Sequence, residues 1–293
     1  MTREGTILVT GAGGFVGRHL VHWLRELGRE VVAWTRSDAD LLDSESVRAG
    51  LAEVRPASIF HLAAGPARGV DEPWTAAKAE VAMLDNVIAA MDRGCRLIHT
   101  GSVAEYGYAG RFDELAPRRP STCYGFGKAA ATDRALAARL VHGLDIRVAR
   151  LFGVYGPGEA PQRLLPHLIS LLSRGSKVPL SDGTQVRDFV HVADVCEALL
   201  AIAETDSMEI PVVNVGTGIG LTVRTVCESV ADILGADRGL LEFGAVPRRS
   251  VDEDVLVADP SRLARIARVP PQRWSARALA EDYVLAMQNH RTP

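Results

Sequence analysis

Aromatic residues are scarce in this chain of 293 residues, at 5%, and cysteine is scarcer still, with four. Cys95, Cys123, Cys196 and Cys227 stand far apart, with no Cys-x-x-Cys and no clustered histidines. That spacing argues against a disulfide framework and a zinc site and leaves reduced packing thiols. No apolar run is long enough to span a bilayer, and Met1-Thr-Arg-Glu-Gly5 runs straight into a strand-like Ile7–Thr10 without an apolar signal segment, so a cytoplasmic protein is expected. Positive charge is not in excess either: the formal net charge of -3 offers no broad attraction to nucleic acid or to an anionic membrane. Internal repeats, low-complexity tracts and flexible interdomain linkers are missing. What is present is ordinary for a soluble globular enzyme, 47% apolar and 24% charged. The length lies at the upper end of what one core organises, so one large domain with a smaller lobe is expected.

The first motif is Thr10-Gly-Ala-Gly-Gly-Phe-Val-Gly17, between that strand and a helix with Phe15, Val16, Leu20, Trp23, Leu24 and Leu27 at apolar positions. Glycines permit the tight turn and let backbone N–H groups approach a pyrophosphate, while the helix N-terminus favours negative charge. A second strand, Glu30-Val-Val-Ala-Trp34, ends in Thr35-Arg36-Ser37. An acidic residue there would hold a ribose 2′-hydroxyl, whereas a guanidinium and a hydroxyl suit a 2′-phosphate. NADP is therefore favoured, with NAD as the alternative because Asp38 and Asp40 follow closely. A helix over 44–53 is expected to use Ser44 as its N-cap. Ser58-Ile-Phe-His-Leu-Ala-Ala64 is a short apolar strand whose small end, with Leu62, Ala63 and Ala64, lets a cofactor lie against backbone, and His61 reads as a packed strand residue. A helix follows over 74–91 with core-packing periodicity.

The strand Arg96-Leu-Ile-His-Thr100 leads into Gly101-Ser102, and a polar residue past a strand's carboxyl end in an alternating α/β chain belongs at the ligand crevice. Next comes Ser121-Thr-Cys-Tyr-Gly-Phe-Gly-Lys128. Tyr124 and Lys128, four residues apart at the start of a helix reaching about Val141, share one helix face, so an ammonium lies beside a phenol and favours its ionised form.

A Gly-x-x-Gly-x-x-Gly after the first strand, a serine after a later one and then Tyr-x-x-x-Lys occur here in one order, joined by Arg150-Leu-Phe-Gly-Val-Tyr-Gly-Pro-Gly158, Gln185-Val-Arg-Asp-Phe-Val-His-Val-Ala-Asp194 and Asn214-Val-Gly-Thr-Gly218. Along nearly its whole length the chain resembles the extended short-chain dehydrogenase/reductases, a family of nucleotide-sugar epimerases, dehydratases and ketoreductases. The resemblance implies a Rossmann-type doubly wound parallel α/β sheet with a smaller, discontinuous substrate lobe. It implies that Gly11, Gly14 and Gly17, with Phe15 and Val16, hold the pyrophosphate, that Asp40 and Leu41 border the adenine, and that Ser102, Tyr124 and Lys128 form the catalytic set. Arg187 matches an arginine that meets sugar-nucleotide phosphates, and Arg248 or Arg249 a second. Homodimerisation through helices 74–91 and 124–141 is common in the family.

The departures are informative. Dehydratases of the family carry an acidic pair directly after the serine, where this chain has Val103 and Ala104, which argues against 4,6-dehydration. A family asparagine at the substrate is Gly153 here, and another is Glu80. The short loop between the second strand and Asp40-Leu-Leu-Asp43 is similar to the sugar 4-ketoreductases. Helices are expected over 164–172, 190–203, 222–234, 261–267 and 275–287, with strands over 177–180 and 240–246. The expected cofactor domain is 1–152 plus about 190–215, and the substrate lobe about 153–189 plus 216–293. The expected reaction is NADPH-dependent reduction of a nucleotide-activated 4-keto-6-deoxyhexose. The alternatives are a nucleotide-sugar 4-epimerase with tightly bound NAD and a non-catalytic dinucleotide-binding regulator, against which the intact Ser-Tyr-Lys set argues.

Overall fold

The computed structural model describes residues 5–65, 73–206, 211–249, 252–267 and 276–289. Its first half alternates strand and helix: β1 Ile7–Thr10, α1 Phe15–Glu26, β2 Val31–Trp34, α2 Ser44–Val54, β3 Ser58–His61, α3 Pro73–Ala90 and β4 Arg96–Ser102. A short strand β5, Gly110–Phe112, precedes α4, Cys123–His142, which returns the chain to β6, Asp145–Leu151. Then come β7 Gly153–Tyr155, α5 Leu164–Leu172, β8 Val178–Leu180, β9 Val186–His191, α6 Val192–Glu204 and β10 Val212–Val215. The chain closes with β11 Gly220–Thr222, α7 Val223–Leu234, β12 Leu241–Phe243, β13 Val255–Ala258, α8 Leu263–Ile266 and α9 Ala276–Asn289.

Six strands form one sheet in the order β10-β6-β4-β3-β1-β2, every pair parallel. Both faces are covered, and β1, β2 and β10 read as near-continuous apolar runs. Their alternation still sorts side chains between two layers. Leu8, Ile59, Leu97 and Ile146 pack with Val47 and Leu51 of α2, Leu84 and Val87 of α3, and Ala131 and Ala135 of α4. Val9, Phe60, Ile98 and Ala149 face the other way, onto Leu20 and Leu24 of α1 and Val195, Leu199 and Ile202 of α6. Each such large side chain contributes about 1.5–3 kcal/mol on burial, which fixes a rigid platform whose strand ends carry the site.

A second sheet, β11-β9-β13-β5 with β7 on β9, builds the lobe beside the platform. It is held to helices α5, α7 and α9 by a core including Leu168, Val226, Val230, Leu279 and Tyr283. The sheet draws β5 from the first half of the chain, since Leu256 pairs with Gly110 and Ala258 with Phe112. Buried Asp188 locks it together by accepting from Thr217 N at 2.9 Å, Thr217 Oγ1 at 2.6 Å, Gly218 N at 2.9 Å and Ala258 N at 3.1 Å. Burial pushes this carboxyl's pKa up, against the pull of those four hydrogen bonds.

Several element ends differ from the expected ones. Asp43, not Ser44, caps α2: Asp43 is the extended residue, and its carboxylate accepts from Glu45 N at 3.0 Å. Val190 and His191 belong to β9, and His191 caps α6 through a bond from Ala193 N. Among the later elements, β12 spans only 241–243 and α8 only 263–266.

Candidate active site

The turn after β1 is shaped by contacts that leave no room for a side chain. Gly11 has a φ of +67°, and a Cβ there would lie 2.5 Å from Ala63 N. A Cβ on Gly17 would lie 2.2 Å from Gly11 O. Gly14 is the N-cap of α1 and brings no side-chain cap, so the first N–H groups of the helix stay open at the crevice. Beside the turn lies a cavity of about 390 Å³ whose lining includes Gly11, Gly14, Arg36, Asp40, Leu41, Leu62, Ala63 and Ala64. Phe15, Val16, Gly17 and Ser37 do not line it. Phe15 and Val16 are half-buried in the first turn of α1, where Val16 joins the core behind that helix.

The polar rim of the cavity is sorted by its hydrogen bonds. Asp38 accepts from Thr35 N at 2.8 Å and from Thr35 Oγ1 at 2.6 Å, bonds that hold its carboxyl below the usual range. The Ser37 hydroxyl is 2.8 Å from Thr35 Oγ1, and Asp40 accepts from Leu42 N at 3.0 Å. Arg36 is exposed and makes no hydrogen bond or ion pair among the described residues. The turn therefore consumes its nearer acid internally and presents a free guanidinium.

Ser102 closes β4 and caps a short 3-10 turn, Val103–Glu105, with its Oγ accepting from Ala104 N at 3.2 Å. Glu105 returns the favour: its Oε1 accepts from Ser102 N at 2.9 Å, while its Oε2 binds Arg150 at 3.0 Å and Arg118 at 3.5 Å. The capping box explains the strand's abrupt end. It also shows that the acid near Ser102 is spent on two arginines. Thr122 caps α4 through Gly125 N at 3.0 Å, which starts the helix just before Tyr124 and Lys128. Tyr124 is 40% exposed and Lys128 only 3%. The Lys128 ammonium donates to Glu80 Oε1 at 2.6 Å and to Thr100 O at 3.0 Å, two residues before Ser102. Burial opposes its charge, but Glu80 first and then Tyr124 and Glu105 outweigh burial and raise its pKa. His61 and His99, ring centroids 5.6 Å apart, sit buried nearby. Burial, aided by the Lys128 charge, pushes His61 down to about 3 and His99 well below its ordinary range, so both are neutral packing residues.

Arg187 lies on β9 and donates to Val186 O at 2.9 Å and Glu253 O at 2.8 Å, with Asp252 at 3.7 Å. Arg248 binds Asp254 at 2.8 Å, and its buried Nη2 has no partner. Arg249 is exposed. Gly153 supports this side from below: a Cβ there would lie 2.7 Å from Asp188 O, one residue past Arg187. The 252–254 segment reaches the start of α4, since the Ser121 hydroxyl donates to Glu253 at 3.1 Å. Sequence spacing did not disclose the Lys128–Glu80 pair, the Glu105–Arg150 pair or the Asp188 clamp, each of which joins residues far apart in the chain. Among the described residues no group of three or more His, Cys, Asp or Glu is placed to hold a metal ion, and no helix is long and apolar enough to cross a membrane.

Residues 7–216 match the model of the NAD dependent epimerase/dehydratase family. The chain is 30% identical to a dTDP-glucose 4,6-dehydratase of Streptomyces antibioticus, over 85% of this chain and 90% of that one. It is 32% identical to a dTDP-6-deoxy-L-talose 4-dehydrogenase (NAD(P)(+)) of Kitasatospora kifunensis, over 83% of this chain and 84% of the other. The crystal structure of the UDP-glucose 4-epimerase of Thermus thermophilus in complex with NAD is similar with a TM-score of 0.81 and 28% identity, covering 95% of this chain and 99% of that one. The glycine turn, the buried lysine behind the tyrosine and the parallel platform all fall within the matched region, and the chain belongs to the NAD dependent epimerase/dehydratase family of enzymes.

Proposed function

We propose that this enzyme reduces the 4-keto group of a 6-deoxyhexose carried on a nucleoside diphosphate, using NADPH. The observation that carries the reading is the set Ser102, Tyr124 and Lys128 in which, among the described residues, the neighbouring acids are engaged: Val103 and Ala104 follow the serine, Glu105 is bonded to Arg150 and Glu80 to Lys128. An enzyme that dehydrates the sugar needs an acid and a base there; a reductase needs only a proton donor.

The dinucleotide, when bound, supplies the hydride. Negative charge then develops on the carbonyl oxygen, and the Tyr124 hydroxyl gives it a proton. Ser102 accepts from Ala104 N, which leaves its own hydroxyl hydrogen free to bond the same oxygen. Lys128 stays cationic behind Tyr124. Gly11, Gly14 and Gly17, with the open N–H groups of α1 near Phe15 and Val16, suit a pyrophosphate, and the floor at Leu62, Ala63 and Ala64 lets the cofactor approach backbone. Asp40 and Leu41 would border the adenine. Arg36, unpartnered at the rim, suits a 2′-phosphate, with Ser37 beside it. Arg187 and Arg248, with Arg249 near them, would hold the diphosphate by charge-assisted bonds and so orient the sugar, with Gly153 keeping β7 close under that strand. The relative named as a 4-dehydrogenase (NAD(P)(+)) supports chemistry at this carbon.

A second reading, a 4-epimerase that keeps NAD through oxidation and re-reduction, draws on the likeness to the epimerase complexed with NAD. A homodimer through α3 and α4 is part of the proposal, because Trp74 and Phe126, ring centroids 5.7 Å apart, stay half-exposed where those helices meet. The test is to purify the protein by gel filtration, read its mass, denature it and identify any dinucleotide released. Empty protein that binds NADPH more tightly than NADH and consumes it with a 4-keto-6-deoxy nucleotide sugar supports reduction. Stoichiometric NAD overturns it in favour of epimerisation.

A further inference from the structure

Glu80 has no part in the chemistry above, yet it is bonded to the lysine of that site. It projects from α3 and is 4% exposed. One oxygen accepts from Lys128 Nζ at 2.6 Å, and the other accepts from Gly65 N at 3.1 Å, in the segment that floors the cavity. With the bond to Thr100 O, two of the three ammonium protons are fixed in direction. A lysine this deeply buried readily gives up its proton unless a partner compensates the charge. Of the other groups facing it among the described residues, His61 on β3 and His99 on β4 are neutral, while Tyr124 on the same helix and Glu105, which is shared with Arg150 and Arg118, support its charge less than Glu80 does.

We propose that Glu80 is a positioning residue, which keeps Lys128 charged and aimed between α3 and the end of β4 so that the site retains its cation throughout its working pH range. The assignment rests on Tyr124 and Lys128 acting as set out above. It concerns only when activity is lost with pH and leaves the equilibrium of the reaction unchanged.

The first measurement is NADPH consumption with dTDP-4-keto-6-deoxyglucose as probe, followed with pH for the wild type, E80Q and E80D. E80Q keeps the shape and removes the charge. Its alkaline limb is expected to move down by about one to three pH units, while E80D keeps the wild-type limb. An E80Q rate lowered by one constant factor at every pH, with the limb unmoved, overturns the proposal.

The second measurement needs no sugar. With Glu80 present, the folded pKa of Lys128 lies above its unfolded value, so this lysine contributes stability below the unfolded pKa and loses it as pH rises through the folded one. Without Glu80, burial is expected to outweigh the remaining support from Tyr124 and Glu105 and bring the folded value below the unfolded one, which reverses the sign. Urea unfolding of E80Q between about pH 7 and about pH 10 is expected to show stability rising with pH, a rise missing in E80Q/K128M. Parallel pH curves for these two variants overturn the proposal, as does an E80Q protein unfolded at both ends of the range. If E80Q is unfolded only near pH ~7 and folds near pH ~10, the buried uncompensated charge is the cause, as proposed. Y124F separates the two readings: an active Y124F sinks the catalytic assignment, whereas an inactive Y124F beside an unmoved E80Q limb sinks only the role of Glu80.

Discussion

Asp188→Asn is expected to loosen the lobe built on the second sheet without touching the six-stranded platform. The carboxylate serves four donors from two other segments, with Oδ1 taking Thr217 N and Oγ1 and Oδ2 taking Gly218 N and Ala258 N. An amide keeps one acceptor and turns the other into a donor, so two donors lose their partner. Each buried N–H left unpaired costs about 1–3 kcal/mol, and removing a buried charge returns part of that, for a net loss of about 3 kcal/mol. For a chain of this size about 1 kcal/mol shifts the midpoint by about 2–4 °C, so Tm should fall by roughly 6–12 °C. The assay is differential scanning calorimetry, paired with titrations of NADPH and of the nucleotide sugar. Because Arg187 sits one residue away on the same strand, KM for the sugar should rise while dinucleotide affinity stays put. A midpoint within about 1 °C of wild type would show that the four short distances carry no net energy, and the clamp would have to be abandoned.

Tyr124→Phe removes the proton donor and nothing that meets the cofactor turn, so turnover should drop at least ~100-fold while NADPH affinity changes little; steady-state kinetics and a fluorescence titration separate the two, and lost binding would sink the assigned role. Arg36→Ala removes the unpartnered cation at the cavity rim. It should weaken NADPH by roughly 10- to 100-fold, the worth of a charge-assisted bond, and NADH far less; equal effects on both would withdraw the choice of NADP. Gly11→Ala places a methyl 2.5 Å from Ala63 N at a φ of +67°. Strain and overpacking together should cost about 2–5 kcal/mol, seen as a lower Tm with loss of dinucleotide binding, and a variant that binds and melts like wild type would refute the tight-turn account.

What the sequence disclosed well was local. The glycine turn, the periodicity of α1 and α3, and the placement of Tyr124 and Lys128 one turn apart at the start of α4 all follow from residues within a few positions of one another. Caps were harder because neighbouring residues compete for them: Asp43 and Ser44 are both good N-caps, and only the backbone reveals that Asp43 is the extended one. The rest depended on pairings across the fold. Glu80 stood out only as the residue in place of a family asparagine, and nothing in its vicinity announced a bond to Lys128, 48 positions on. Glu105 stands two residues past Val103 and drew no reading from the sequence, and its capture by Arg150, 45 positions away, is what removes it from the chemistry. Asp188, beside a residue singled out as a ligand, proved to be a structural acceptor.

The way β5 is borrowed has a practical side for anyone wishing to exchange specificities between relatives. A chimera cut at residue 216 would graft the strand β13 of one parent onto the β5 of another, with Phe112 O still expected to receive Asp259 N at 2.7 Å. Residues 110–112 therefore have to travel with the C-terminal graft, and so does β9, which pairs with β13 on its other edge. Transplanted as three pieces, the lobe carries its own seams; transplanted as one, it leaves them behind.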